Sequence, residues 1–254
     1  MAQPHAGKTK HDIIHLKDVK KTYGTGEQAT EILHGINLSI YPQEFTIIYG
    51  PSGSGKSTLL NTIIGLEEIR EGTVTIRGSV ISNQDEDTRA RFRNRNIGVV
   101  YQSPFWVKTL NVLDNVALPL LIHDEEGNAA KRKALEALSH VGMEGFAKKS
   151  PMTLSGGQQQ KVNIARALVC DPAIIVADEP TGNLDSVSAN DIIQLFLWFI
   201  TNFHKSVIMV THELSFLRYA DRAVSIHDGY VESVLTKDML TGVVDNLARV
   251  PGGA

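Results

Sequence analysis

Cysteine is nearly absent, with one residue, Cys170, among 254. A single thiol excludes an intramolecular disulfide and any cysteine-cluster metal site, and it fits a reducing compartment. Long apolar runs are missing too. The most apolar stretches, 116–122 and 192–200, contain Pro119 and Gln194. Both fall well short of the ~20 residues that a membrane-spanning helix needs. Neither sign of charge dominates. Lys and Arg number 25 against 28 Asp and Glu, a formal net charge of −3, so there is no bulk pull toward nucleic acid or anionic lipid. No internal repeat or low-complexity block occurs. The N-terminus, with Pro4, Gly7, Lys8 and Lys10, has no apolar centre and is not a secretory signal. Residues 1–11 are expected to be disordered. What remains is a cytoplasmic, soluble, globular chain, long enough to bury roughly three-quarters of its unfolded surface in one large domain or a domain with an inserted lobe.

Short β-rich runs alternate with helical patterns. Strands are expected at 13–19, 36–40, 46–49, 73–76, 97–101, 174–177, 206–210, 223–227 and 230–234. The unbroken apolar runs Ile174-Ile175-Val176-Ala177 and Val207-Ile208-Met209-Val210 suit strands buried on both faces of a parallel sheet. The early strands are short and separated by Gly24, Gly26, Gly72 and Gly78, as in an antiparallel meander. Helical patterns follow Gly55, run through 129–141, follow Ser155 and fill 188–201, and a short helix is expected at 238–248. Pro104, Pro119 and Pro151 punctuate the middle. The pattern predicts an α/β fold. It combines a phosphate-loop core with a parallel sheet, an N-terminal antiparallel β subdomain, and an α-helical lobe inserted over about 103–169.

The strongest chemical signal is Gly50-Pro51-Ser52-Gly53-Ser54-Gly55-Lys56-Ser57, a phosphate-binding loop between an expected strand and an expected helix. Its glycines let backbone N–H groups turn toward one anion, and the helix start adds partial positive charge. Lys56 is expected to reach the β- and γ-phosphates, Ser57 to bind Mg²⁺, and Thr58 to add an α-phosphate contact. The second signal is Asp178-Glu179 at the end of a buried strand, where α/β sheets open onto their ligand crevice. Asp178 is placed to hold Mg²⁺ through water. Glu179, one residue further, is placed to act on a water in line with the γ-phosphate.

Leu154-Ser155-Gly156-Gly157-Gln158 chooses among phosphate-loop ATPases. Ser155 is an N-cap type of residue and the two glycines bare the backbone, making a second anion-binding helix start. With this segment the chain resembles the ATP-binding subunit of ABC transporters, from about 13 to 231. The resemblance implies that Ser155, Gly156, Gly157 and Gln158 bind the γ-phosphate held by another copy, so that two ATP molecules lie between head-to-tail subunits. It implies that Tyr23 stacks on adenine. Gln102 would contact Mg²⁺ and the attacking water and link the site to a membrane partner. Asp185, in Asn183-Leu184-Asp185, would cross the dimer interface, and His212 would contact the γ-phosphate as a switch histidine. Read alone, each has a blander role: a strand-end tyrosine, a polar loop residue, a helix cap, a satisfied histidine.

Two positions depart from the family pattern. Gln43 stands where glycine is usual, at a turn, which costs strain if φ is positive. Lys161 replaces the more usual arginine and loses its bidentate fork. The resemblance divides the chain into residues 1–11, an ATPase domain over 12–231 and a tail over 232–254. It implies ATP and Mg²⁺ as cofactors, a second copy and a separate transmembrane permease subunit as partners, and no nucleic acid. The expected location is the cytoplasmic side of the membrane. The segment 103–115, with Pro104, Phe105, Trp106 and Leu110, is the expected docking surface, unless its aromatics pack within the lobe. Asn115-Val116-Ala117-Leu118-Pro119-Leu120, Gly157-Gln158-Gln159-Gln160 and the stretch 177–185 look most like the branch serving lipoprotein release and macrolide-type export. The alternatives are a cell-division ATPase regulating wall hydrolases and a soluble, non-transport ABC ATPase.

Overall fold

A computed structural model describes residues 11–24 and 26–241. Two sheets carry the fold. The first contains β1 (Ile14–Tyr23), β2 (Thr30–Ile40), β4 (Glu71–Ile76) and β5 (Ser79–Val80) in the antiparallel order β2-β1-β4-β5. The second contains β3 (Phe45–Tyr49), β6 (Ile97–Tyr101), β7 (Ile174–Asp178), β8 (Ser206–Thr211), β9 (Arg222–His227) and β10 (Tyr230–Thr236) in the order β10-β9-β3-β8-β7-β6. Only β10 runs antiparallel to its neighbour; β6, β7, β8, β3 and β9 pair in parallel. The mixed architecture matches the expected α/β fold.

The apolar runs of the parallel strands sort by alternation onto two cores. Phe45, Ile47, Ile175, Ala177, Val207 and Met209 face a core closed by helices. Ile48, Ile174, Val176, Ile208 and Val210 face a second core, shared with the antiparallel sheet and α1 (Lys56–Ile63). Between β6 and β7 the chain forms α3 (Val112–Ile122), α4 (Gly127–His140) and α5 (Gly156–Leu168); α6 (Ser186–Phe203) follows β7. The parallel register aligns the strand ends. Tyr49 pairs with Thr211 and with Ser225, Asp178 pairs with Val210, and Tyr101 pairs with Asp178.

Several boundaries differ from the sequence expectation. Strands β1 and β2 run longer than 13–19 and 36–40. Asp18 (φ 48°) and Gly35 (φ 74°) give irregularities that interrupt their alternation without ending the pairing. Helix α2 (Glu86–Asn96) was not expected, because it buries only Arg89 and has no apolar stripe. Its signals are a cap and charge order. Asp85 Oδ1 accepts from the Thr88 N–H at 2.8 Å, acids fill the first turn and Arg93 and Arg95 the last. Helix α3 runs through Pro119, where the sequence suggests a break. Residues 237–241 are helical, and the rest of the expected 238–248 helix lies outside the described residues, as does the expected disorder of 1–11 apart from His11. Gln43 does adopt the left-handed conformation, with φ 58°, and its N–H donates to Ser206 Oγ at 3.0 Å.

Asn115 organises the lobe. It is fully buried in α3, where its Oδ1 accepts from the Val107 N–H at 2.9 Å. Its Nδ2 donates to the carbonyls of Val107 (3.1 Å), Leu110 (3.1 Å) and Asn111 (2.9 Å). One side chain thus satisfies the loop that carries the expected docking segment. That segment divides. Phe105 is 74% exposed, its ring meeting that of Tyr101 edge-on while its carbonyl accepts from Arg166 at 2.7 Å. Trp106 packs inward, donating Nε1–H to Gln159 Oε1 at 2.9 Å under the Arg166 guanidinium. Asn115→Ala takes the side-chain partner from the Val107 N–H and the Leu110 carbonyl, while the Val107 and Asn111 carbonyls keep the N–H groups of Leu110 and Asn115. It should cost about 2–4 kcal/mol and lower the thermal midpoint by roughly 5–15 °C, measured by calorimetry.

Candidate nucleotide site

The phosphate loop leaves the end of β3 at Gly50 and enters α1 at Gly55, whose φ of 95° only glycine adopts freely. Gly50 is required by crowding: a Cβ there would lie 2.0 Å from the Ile226 carbonyl oxygen of β9. Lys56 is buried and curls back over the loop, donating from Nζ to the carbonyls of Gly50 (2.9 Å) and Pro51 (2.7 Å). An ammonium has three donors, so one remains. Ser54 Oγ is buried with no hydrogen-bond partner, the kind of orphaned group that a bound anion or water satisfies. Ser52 and Gly53 form the exposed outer turn of the loop, with Gly53 at φ 79°; Thr58 lies in the first turn of α1.

The strand ends β7 and β8 bring the acids and the histidine beside this loop. Ser57 Oγ donates to Asp178 Oδ1 at 3.4 Å. Burial is the main cause that pushes Asp178 above the usual carboxylate range. The Ser57 hydrogen bond opposes it, the Glu179 charge adds to it, and the Lys56 charge opposes it. Glu179 is in the left-handed region at φ 46°, an uncommon conformation for a residue with a Cβ. Its N–H donates to the Val210 carbonyl at 3.0 Å. His212 Nδ1 lies 3.0 Å from both carboxylate oxygens, with hydrogen-bond geometry to Oε1 alone. Oε2 is buried with no hydrogen-bond partner among the described residues. Glu179 and His212 face a hollow of ≈ 360 Å³ that Thr181, Gly182 and Leu184 also line.

The donor set fits a hard divalent cation such as Mg²⁺. A serine hydroxyl and one carboxylate converge at hydrogen-bond distance, and Mg²⁺ takes few protein ligands when phosphates supply the rest. No group of three or more His, Cys, Asp or Glu able to hold a metal occurs among the described residues. His5 lies outside the described residues. His11 and His15 join no metal cluster, and His15 is occupied by Asp12 at 2.8 Å.

The remaining expected residues sit apart from the loop. Tyr23 ends β1, exposed on one side, with the Lys21 ammonium 4.7 Å from its ring centre. Gln102 follows β6 and presses its Nε2 against Gly182, 2.8 Å from where a Cβ would stand there. Ser155 caps α5 in a reciprocal box, Ser155 Oγ accepting from Gln158 N–H at 3.3 Å and Gln158 Oε1 accepting from Ser155 N–H at 3.0 Å. Gly157 leaves space beside Ser188, 3.0 Å from a would-be Cβ, and Gly156 lies beside Leu184. Ser155, Gly157 and Gln158 line their own hollow of ≈ 270 Å³ with Met143, Phe146 and Lys161. Asp185 caps α6, accepting from Val187 N–H (3.1 Å) and Ser188 N–H (2.9 Å). Lys161 pairs with Asp191 of α6 at 3.1 Å.

Two residues of α5 were given no role at the site by the sequence, Gln160 having entered only as part of a branch motif. Gln160 and Asn163, both buried, donate from their amides to the Tyr101 carbonyl at 3.3 and 3.0 Å. They fix the strand end that presents Gln102. Their only sequence signal is a pair of polar residues at i and i+3 on an inward helix face.

A family model described as "ABC transporter" matches residues 33–182, which include the phosphate loop, the cap of α5 and the Asp178-Glu179 pair. The chain belongs to the ABC transporter family. It is an ATPase of that family. An uncharacterized ABC transporter ATP-binding protein of Methanocaldococcus jannaschii is 41% identical over 225 residues, covering 89% of this chain and all of the relative. A lipoprotein-releasing system ATP-binding protein LolD of Pseudomonas fluorescens is 38% identical over 222 residues, covering 87% of this chain and 98% of the relative. Among solved structures, a dimeric ATP-binding cassette of Methanocaldococcus jannaschii in a post-hydrolysis state, bound to ADP and Pi, superimposes with a TM-score of 0.81. It is 40% identical and covers 88% of this chain and 98% of that one.

The raised Asp178 pKa gives this ABC ATPase a pH signature. The folded chain holds the Asp178 proton to higher pH than the unfolded chain does. Ionisation therefore costs stability as pH rises from the ordinary carboxylate value to the raised one. A cation held at Ser57 and Asp178 would remove that cost and expel the proton. Magnesium affinity of the nucleotide-loaded chain should fall as pH drops through this window, with proton release visible by calorimetry in buffers of different ionisation enthalpy. Asp178→Asn should abolish that component; undiminished release in the variant would assign the proton to another group.

Proposed function

We propose that two copies of this ABC ATPase bind Mg²⁺ and ATP between them head to tail, and that hydrolysis drives a separate membrane protein of the lipoprotein-release or macrolide-export type. The observation that carries the reading is the separation of the two anion-binding helix starts. Ser155, Gly157 and Gln158 line a hollow with Met143, Phe146 and Lys161 to which no residue of Gly50–Ser57 contributes, so a second copy is needed to bring one helix start against the other. The dimeric cassette supports this arrangement by likeness, and the LolD relatives support the branch. No helix among the described residues is long and apolar enough to cross a membrane; in this reading a separate chain spans the membrane and the ATPase works on its cytoplasmic side.

The residues divide the work. Tyr23 offers a ring to adenine. Gly50, Ser52, Gly53, Ser54 and Gly55 turn the loop around the phosphates, Lys56 contributes its charge and Thr58 adds a contact. Ser57, Asp178 and Gln102 hold the cation, which when bound neutralises phosphate charge. Glu179 positions or deprotonates water, aided by His212: with Glu179 ionised, the hydrogen bond favours a proton on Nδ1 and leaves Nε2 as the free nitrogen. Ser155, Gly156, Gly157 and Gln158 receive the phosphate of the other copy, and Asp185 approaches the interface. ATP contacts both copies only in the closed dimer, which supplies the differential affinity that closure requires. The ATPase domain spans 12–231 with its lobe at 103–169. Exposed Phe105, beside the groove lined by Gln102, Pro104 and Met152, presents the surface for the membrane partner.

Glu179→Gln should lower turnover by at least about 10²-fold while retaining an ATP-dependent dimer, read by phosphate release and light scattering. Full turnover would remove Glu179 from the mechanism. Ser155→Arg should leave monomer ATP affinity within about twofold and abolish the dimer and cooperative turnover; cooperative turnover that survives would refute the shared site.

A further inference from the structure

The β9–β10 connection touches the phosphate loop from behind. Its turn has Asp228 at φ 45° and Gly229 at φ 76°, the two positive values of a type I′ hairpin. The Gly229 N–H donates to the Ser54 carbonyl at 3.0 Å, and the Gly229 carbonyl accepts from the His34 N–H of β2 at 3.1 Å. A Cβ at Gly229 would stand 2.0 Å from the Ile32 carbonyl oxygen and 2.7 Å from His34 Cδ2. The next residue, Tyr230, stacks on the His34 ring with centres 4.6 Å apart and planes 17° from parallel. The same hairpin meets the start of the loop, where Gly50 abuts the Ile226 carbonyl.

Peptide planarity turns this contact into an orientation. The C=O of Ser54 and the N–H of Gly55 belong to one trans peptide and point in opposite directions. A donor that holds the Ser54 oxygen therefore aims the Gly55 N–H away from the hairpin. We propose that Gly229 is a positioning residue for nucleotide binding, strapping the phosphate loop between β2 and the β9–β10 turn so that the Gly55 N–H is presented to the phosphates. The proposal rests on the loop being the nucleotide site, and it adds a segment outside the residues of the family match. Only glycine supports the strap: both the positive φ and the Ile32 contact exclude a side chain.

The chain contains its own control. The turn between β4 and β5 repeats the geometry, with Arg77 at φ 50° and Gly78 at φ 78°, but nothing lies within 4 Å of a Cβ at Gly78. Alanine imposes the same backbone strain in both turns, and only one turn touches the loop. ADP affinity of the full chain, measured by calorimetry, should weaken about tenfold in Gly229→Ala and change less than about twofold in Gly78→Ala. Tyr230→Ala removes the ring stack, leaves the backbone intact and should weaken ADP about threefold with little loss of thermal midpoint. In the wild-type chain, ADP should slow hydrogen exchange of the Gly229 amide more than that of the Gly78 amide. Equal affinities in Gly229→Ala and Gly78→Ala would overturn the proposal. If Gly229→Ala does not fold, wild-type affinity in Tyr230→Ala together with a Gly229 amide indifferent to ADP would overturn it. A wild-type chain that does not bind ADP would instead overturn the nucleotide reading itself.

Discussion

The register of the parallel sheet is the constraint on which the site depends. Tyr49, Thr211, Asp178 and Tyr101 end adjacent strands at matched heights. The residues just beyond them are Gly50, His212, Glu179 and Gln102, so four pieces of chemistry separated by up to 162 positions in sequence emerge along one sheet edge. A one-residue slip of β7 against β8 would move Asp178 by about 3.3 Å along the strand and turn its side chain to the opposite core. Apolar burial on both faces prevents that slip. Ile175 and Ala177 cannot exchange cores with Ile174 and Val176 without changing the volumes each core holds. The hydrophobic sorting of strands therefore sets the geometry of polar groups that take no part in it.

Around that edge, polar groups are arranged to hold shape. Lys56 ties together two loop carbonyls, those of Gly50 and Pro51. Gln160 and Asn163 converge on the carbonyl of Tyr101, and Asn115 closes the loop that follows. The lobe is thus joined to the core through backbone carbonyls next to site residues, and a rotation of α5 would be felt at Gln102 first. Backbone strain also reaches this edge: Glu179 is left-handed and has one buried carboxylate oxygen without a hydrogen-bond partner among the described residues.

How much could be read without coordinates follows from which signals are local. The phosphate loop, the acids after an apolar run and the cap of α5 are contiguous motifs; the first two sit between a strand and a helix and the third opens a helix, as their sequences implied. The left-handed backbone at Gln43 was legible from the resemblance, because the family usually has glycine at that turn position. Helix α2 was not legible because charge replaces its apolar stripe. Helix α3 was obscured by a proline that the structure tolerates inside the helix. Phe105 and Trp106 are neighbours with opposite fates. What separates them is the Gln159 and Arg166 side chains more than fifty positions away, and periodicity carries no information about such partners. The contacts of Asn115 and Gly229 were hidden for the same reason: their importance lies in the groups that meet them.

The reciprocal cap at Ser155 and Gln158 has a consequence for binding energetics. A bare helix start attracts negative charge, yet at α5 two donors are already satisfied by the chain's own side chains. An incoming phosphate of a second copy would exchange with those internal bonds, and the free energy of closure would be the difference between two good arrangements. Such an exchange makes for a contact that forms without being permanent. A helix start that can satisfy itself can also let go, which a machine that must reopen after every cycle requires of its interface.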